Sequence, residues 1–167
     1  DGFTGLEHVM EPVAEIGVLE LPTFERNRFN ANNLTIYDWT DRPNQLEKNS
    51  FRANINAAIN PLTALLRVPN GELLSRPNAR RLMGALARET ANVAGAEHIH
   101  LPFSNPVHAA EDVARRTAAN HSSMFQDVRR GAPTEIDSIC GAITRRGEKH
   151  GISTPYNRAC WQLVRAA

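Results

Sequence analysis

The sequence predicts a mainly α-helical domain, a helical bundle, preceded by a short β-containing stretch. Three observations carry that prediction. From Asp41 onward, apolar residues recur at the three-to-four spacing of a helix face. The ends of these periodic segments carry helix start and stop residues. Runs of β type, Ile16–Leu19 and Leu34–Tyr37, occur only in the first forty residues, on either side of a polar, Asn-rich stretch from Arg26 to Asn33. The expected division is therefore residues 1–40 as a linker or a remnant of another domain, and residues 41–167 as the helical domain.

Each helical element follows from local chemistry. Asp41 can cap a helix, and Pro43 suits its first turn, where a missing N–H costs nothing. The segment from Pro43 to Leu66 contains Asn60-Pro61; proline removes a backbone donor and crowds the preceding turn, so a kink or break is expected there. Asn70-Gly71 marks a turn. A second helix is expected over Asn78–Ala94, with Leu82, Leu86 and Val93 on one face and Gly95 as its stop. Leu101–Pro106 reads as a loop. Helices over Val107–Ala119 and Asn120–Arg130, separate or continuous, end at Gly131. Pro133-Thr134 opens the next helix, with Ile136, Ile139, Cys140 and Ile143 at helical spacing and Lys149-His150-Gly151 closing it. Thr154-Pro155 starts the last helix, whose Trp161, Leu163 and Val164 are assigned to packing.

Bulk properties set the outer limits. A chain of 167 residues suits one domain, or one domain and a piece of another, and 41% hydrophobic residues suffice for a real core. A net charge of +1 points to neither nucleic acid nor a membrane surface as partner. Cys140 and Cys160 have no metal or CxxC spacing and sit at apolar helical positions, which makes them small core residues and fits a reducing compartment. No stretch approaches the roughly 18 apolar residues that span a bilayer, and no signal peptide is evident. A start at Asp1 instead of Met suggests the remainder of a longer protein, or the end left by a removed tag.

The most informative chemical feature is a polar stripe on an apolar helix. Lys48, Arg52, Asn56 and Asn60 are each four residues apart and so share one face, while Ile55, Ala57, Ala58, Ile59 and Leu62 read as core. Such a stripe can line a polar ligand cleft; it can equally be a solvated face. Ser123, in the run Asn120 to Asp127, is by itself an ordinary helix serine. Glu135 is by itself a first-turn acid favoured by the helix dipole, and Thr134 with Asp137 is a shortened capping box. His98-Ile99-His100 lacks a third ligand nearby and reads as a loop or surface pair, not a metal site. The pairs Arg80-Arg81, Arg115-Arg116, Arg129-Arg130 and Arg145-Arg146 read as solvated helix faces.

The order and wording of several segments add a resemblance. Asn56-Ala57-Ala58-Ile59-Asn60-Pro61-Leu62-Thr63-Ala64-Leu65 resembles the ketopantoate reductase (2-dehydropantoate 2-reductase) motif in which two asparagines precede Pro-Leu-Thr, and Asn70-Gly71-Glu72-Leu73 follows at that family's distance. Ser122-Ser123-Met124-Phe125-Gln126-Asp127 resembles its Ser-Ser-Met-x-Gln-Asp motif, and Thr134-Glu135-Ile136-Asp137 with Gly141 its Thr-Glu-Ile-Asp-x-x-x-Gly motif. His150-Gly151-Ile152 and Thr154-Pro155-Tyr156-Asn157 match its closing segment. The resemblance covers about Gln45 to Val164.

That resemblance implies a helical domain like the C-terminal domains of 6-phosphogluconate dehydrogenases, working beside a Rossmann domain with the active site between them. The implied reaction is NADPH-dependent reduction of 2-dehydropantoate to pantoate, for pantothenate synthesis. Asn56 and Asn60 fall where the family holds the substrate's hydroxyl and carbonyl groups, Ser123 where it binds the carboxylate, and Asn120 lines the same pocket. Glu135 falls on the acid beside the catalytic lysine and the cofactor ribose. These residue types suit the chemistry: a carbonyl oxygen that gains charge needs donors and then a proton, asparagine donates without titrating, and a hydroxyl can bind a carboxylate.

Two departures qualify the implied role. The family's lysine stands eight residues before the asparagine of Asn-Pro, where this sequence has Arg52; arginine stabilises negative charge but barely releases a proton near neutral pH. Lys48 lies one turn earlier, about 6 Å along the axis. Either Lys48 is the acid, through a one-turn insertion, or Arg52 replaces the lysine and catalysis is impaired. The chain also contains no GxGxxG phosphate loop, although Asp1-Gly2-Phe3-Thr4-Gly5 faintly resembles the Asn-Gly-Met-Gly turn within the family's Rossmann domain. NADPH therefore needs a Rossmann half, and the isolated chain is expected to lack turnover. The alternatives are a non-catalytic descendant serving as an interaction or assembly module, and a related 2-oxo acid reductase. A homodimer is compatible with this reading. The biosynthetic role suits the cytoplasm, with the mitochondrial matrix as the alternative.

Overall fold

The structure is a computed structural model that describes residues 43–167, with side chains from residue 53 onward. The β-type runs, the 1–40 segment and the side chains of Lys48 and Arg52 lie outside the described residues. The described residues form seven α-helices and one π-helical turn, with no strand among them: α1 Pro43–Leu66, α2 Glu72–Ser75, α3 Pro77–Ala96, α4 Pro106–Arg116, α5 Ser123–Arg130, the π-helical turn Asp137–Gly141, α6 Ala142–Lys149 and α7 Pro155–Ala166. The mainly α fold class is the one the sequence predicts.

Helix α1 is the central element, packed against α3, α4, α5, α7 and the π turn. Its second half explains this. Ala53, Ile55, Ala57, Ala58, Ile59, Leu62 and Ala64 are all buried, so the helix is apolar around most of its circumference and must be covered on several sides. Small alanines at 57 and 58 let neighbouring helices approach closely. Of the kink or break expected at Pro61, the break is absent: α1 runs on to Leu66. Proline's fixed φ is helical, so the cost is limited to the lost N–H and ring crowding, which burial among neighbouring helices can offset. Met83, Leu86 and Val93 of α3, Met124 and Phe125 of α5, and Ile136, Ile139, Cys140 and Ile143 complete the core. The thiols of Cys140 and Cys160 are buried and free, as expected, and burial pushes Cys160 up to about 11 and Cys140 well above its usual value.

The ends of elements show local chemistry at work. Asn105 accepts N–H bonds from Val107 and His108 and so starts α4; the Ser122 hydroxyl accepts from Phe125 and starts α5. Gly131, at φ 65°, closes α5 in the left-handed conformation that glycine adopts without penalty. Several expectations need correction. Helix α3 runs through Gly95 to Ala96, because glycine tolerates helical dihedrals and no reversal is required there. Leu82 is 40% exposed and Leu163 is 55% exposed, so neither belongs to the core; Met83 and Val164 occupy the buried faces beside them. Residues 117–122 separate α4 from α5, so the two are not continuous. Helical structure after Pro133 begins only at Asp137, as a π turn, which leaves Glu135 ahead of the helix and not in its first turn. Arg146 is half-buried against Glu97, 2.7 Å away, and is no solvated arginine.

Candidate functional site

The second half of α1 carries the two asparagines. Ile55, Ile59 and Leu62 turn into the core; Asn60 is 8% exposed, and Asn56 is half-buried. A solvated face is therefore the wrong description of these two positions. One turn later, Thr63 is fully buried. Its hydroxyl donates to the carbonyls of Asn60 (3.0 Å) and Ile59 (3.1 Å) and lies 2.7 Å from the Ser122 hydroxyl. Ser122 in turn accepts the Phe125 N–H at 3.1 Å. The start of α5, where Ser123 is the first residue, is thus tied by hydroxyl bonds to the α1 turn that holds Asn60.

The segment entering α5 is held at its other end as well. The N–H of Asn70 donates to the Asn120 carbonyl at 2.9 Å, and that of Gly71 to the Ala118 carbonyl at 3.0 Å. The Asn70 amide donates to the Thr117 hydroxyl at 2.9 Å. A Cβ on Gly71 would sit 2.6 Å from the Cβ of Ala118, so this approach requires glycine. Asn120 and Ser123 themselves are exposed.

Glu135 lies between α5 and the π turn. It is half-buried, and its Oε1 is buried without a hydrogen-bond partner. Burial, followed by the negative charge of Asp127, pushes its carboxyl from 4.5 up to about 7. A carboxyl near 7 can hold or release a proton at neutral pH. Among the described residues, this is the one acid with both properties.

Thr63 and Ser122 stood in the sequence only as motif letters without a role, and Asn70 only as a turn residue. Thr63 could have been noticed as a hydroxyl inside an otherwise apolar run. The sequence reading missed Glu89, whose Oε1 accepts the Tyr156 N–H and whose Oε2 accepts the N–H and side-chain amide of Asn157, all at 2.8 to 2.9 Å. The signal was an acid three residues after Leu86 and four before Val93, on the buried stripe of α3. His98 and His100 are exposed in the loop after α3, and no group of three His, Cys, Asp or Glu side chains converges among the described residues. A groove of about 1040 Å³ between α3, α4 and Tyr156 contains none of the predicted site residues. It is lined by Leu82, Arg81, Arg88 and the Arg80–Glu111 pair, in which the Arg80 guanidinium holds the Glu111 carboxyl below its usual range.

Comparison with known proteins settles the lineage. The family described as "Ketopantoate reductase PanE/ApbA C terminal" matches residues 45–167. The chain belongs to the ketopantoate reductase family. The 2-dehydropantoate 2-reductase of Pyrobaculum aerophilum is 46% identical over 112 residues, which cover 67% of this chain and 40% of that protein. Among solved structures, a ketopantoate reductase from Ralstonia eutropha JMP134 superimposes with a TM-score of 0.68 at 33% identity, over 72% of this chain and 40% of that one. A D-mandelate dehydrogenase solved with NADH and anilino(oxo)acetate superimposes with a TM-score of 0.65 at 33% identity, over 71% of this chain and 39% of that one. The chain thus spans about 40% of the length of the ketopantoate reductases it matches. No described helix is long and apolar enough to cross a membrane.

Proposed function

We propose that residues 41–167 are the substrate-binding half of an NADPH-dependent 2-dehydropantoate 2-reductase, acting beside a nucleotide-binding half. The observation that carries this reading is Glu135: a carboxyl with an unpaired buried oxygen and a proton affinity near neutrality, in a segment that resembles a family motif. Asn56 and Asn60 would donate to the substrate's oxygens, Ser123 would bind its carboxylate at the start of α5, and Asn120 would line the same pocket. Negative charge at a helix N-terminus is favoured by the N–H groups that point from it. Glu135 would meet the ribose end of the dinucleotide. When bound, the reduced nicotinamide supplies the hydride. The chain's own part is to hold the 2-oxo acid, and to give its carbonyl oxygen donors and a proton as charge develops there.

A protein that joins this chain to a nucleotide-binding domain should oxidise NADPH when 2-dehydropantoate is added, and the chain alone should not. No substrate-dependent loss of reduced-nicotinamide absorbance in the joined protein would sink the reading. Arg52→Lys raises turnover if Arg52 stands in the lysine position; Lys48→Ala abolishes it if Lys48 is the acid. A second reading, reduction of another 2-oxo acid, is favoured by the likeness to D-mandelate dehydrogenase. A panel of 2-oxo acids in the same assay separates the two.

A further inference from the structure

We infer that Thr63 and Ser122 are positioning residues of the substrate site, and that their hydroxyl pair sets the start of α5, and with it Ser123, against the Asn60 turn of α1. The inference rests on the substrate site proposed above. The direction of the bonds follows from donor counting. Each hydroxyl has one proton. Backbone carbonyls only accept, so Thr63 gives its proton to Asn60 and Ile59. Ser122 then donates to Thr63 across 2.7 Å, and Ser122's own oxygen takes the Phe125 N–H. The result is a single ordered run of bonds, from the first turn of α5 to the carbonyl of the residue proposed to hold the substrate carbonyl.

Each neighbouring feature makes this run consequential. Ser122 and Thr63 are buried, so an unpaired hydroxyl there has no solvent to turn to. The upstream end of the 117–122 segment is fixed by Asn70 and Gly71. Its downstream end meets α1 at the Thr63–Ser122 pair. Ser123, next in the chain, takes its placement from that junction. A carboxylate bound to Ser123 and a carbonyl bound to Asn60 belong to one small substrate, so a shift between the two elements weakens both contacts together.

The test uses the whole 167-residue chain, labelled with nitrogen-15, and pantoate as the probe. Thr63→Val keeps shape and removes the hydroxyl; Thr63→Ser keeps the hydroxyl. Thr63→Val should shift the Ser123 amide signal and speed exchange of the Phe125 N–H, and leave the signals around Glu89 and Asn157 in place. It should weaken pantoate binding about tenfold, with Thr63→Ser close to the parent. Ser122→Ala breaks the bond from the other side and should move Asn60, a response that also decides the matter if Thr63→Val fails to fold. Unmoved Ser123 and Asn60 signals, or unchanged pantoate affinity, would overturn the inference. If the parent chain takes no pantoate, the proposed site falls, and the amide signals alone decide the coupling in either direction.

Discussion

Glu89 and Glu135 are both acids drawn out of water by the same bundle, and the fold treats them in opposite ways. Glu89, 7% exposed on α3, receives three N–H donors and closes the N-terminus of α7 from outside that helix. Glu135, ahead of the π turn, has a buried oxygen with no partner and a carboxyl raised to about 7. The first arrangement satisfies a carboxylate and joins two helices, and so belongs to the structure. The second leaves a hydrogen-bonding oxygen unused among the described residues. A buried polar group without a partner costs free energy. That cost, standing in a segment that resembles a family motif, is the physical reason for reading Glu135 as part of the site.

Substitutions can break this contrast. The largest effect should come from Glu89→Ala, which strands two N–H groups at the start of α7 and removes the tie to α3. A loss of about 3–4 kcal/mol in urea unfolding is expected. A loss below about 1 kcal/mol would mean that α7 is held by its apolar face alone. Glu135 should show a pH signature instead. Its folded value lies above 4.5, so its stabilising contribution is fully present below pH 4.5 and is lost as pH rises through about 7. Because the residue is only half-buried, the difference is discounted for solvent screening to about 1–2 kcal/mol. Glu135→Gln should abolish that slope; an unchanged slope would place the titration elsewhere. The smallest effect belongs to Leu82→Ala, within about 0.5 kcal/mol, because Leu82 is 40% exposed. Leu86→Ala, at a fully buried position, provides the contrast at about 3 kcal/mol.

The helical fold was legible because periodicity and punctuation agree from Pro43 onward. Ile136, Ile139, Cys140 and Ile143 were read as one buried face, and all four are buried. Boundaries failed where a residue tolerates two conformations: Gly95 continues a helix as readily as it ends one, and Pro61 sits inside one. Leu82 failed because an exposed leucine and a buried one look alike in a pattern, and the adjacent Met83 is the residue that α3 turns inward. The candidate site was legible as motif letters, whereas the bonds that hold its parts were not. Thr63 and Ser122 are 59 residues apart, and the α3 acid that caps α7 is 68 residues from Asn157. Pairings at that range depend on how helices pack, which local pattern does not encode.

The central claim is that the α1–α5 face, with Glu135, holds a small 2-oxo or 2-hydroxy acid. The most direct test is to map pantoate binding on the nitrogen-15-labelled chain. Pantoate-dependent shifts should gather at Asn56, Asn60, Asn120, Ser123 and Glu135. Shifts gathered in the groove at Arg81, Leu82, Arg88 and Tyr156, or no response to pantoate anywhere, would contradict the account.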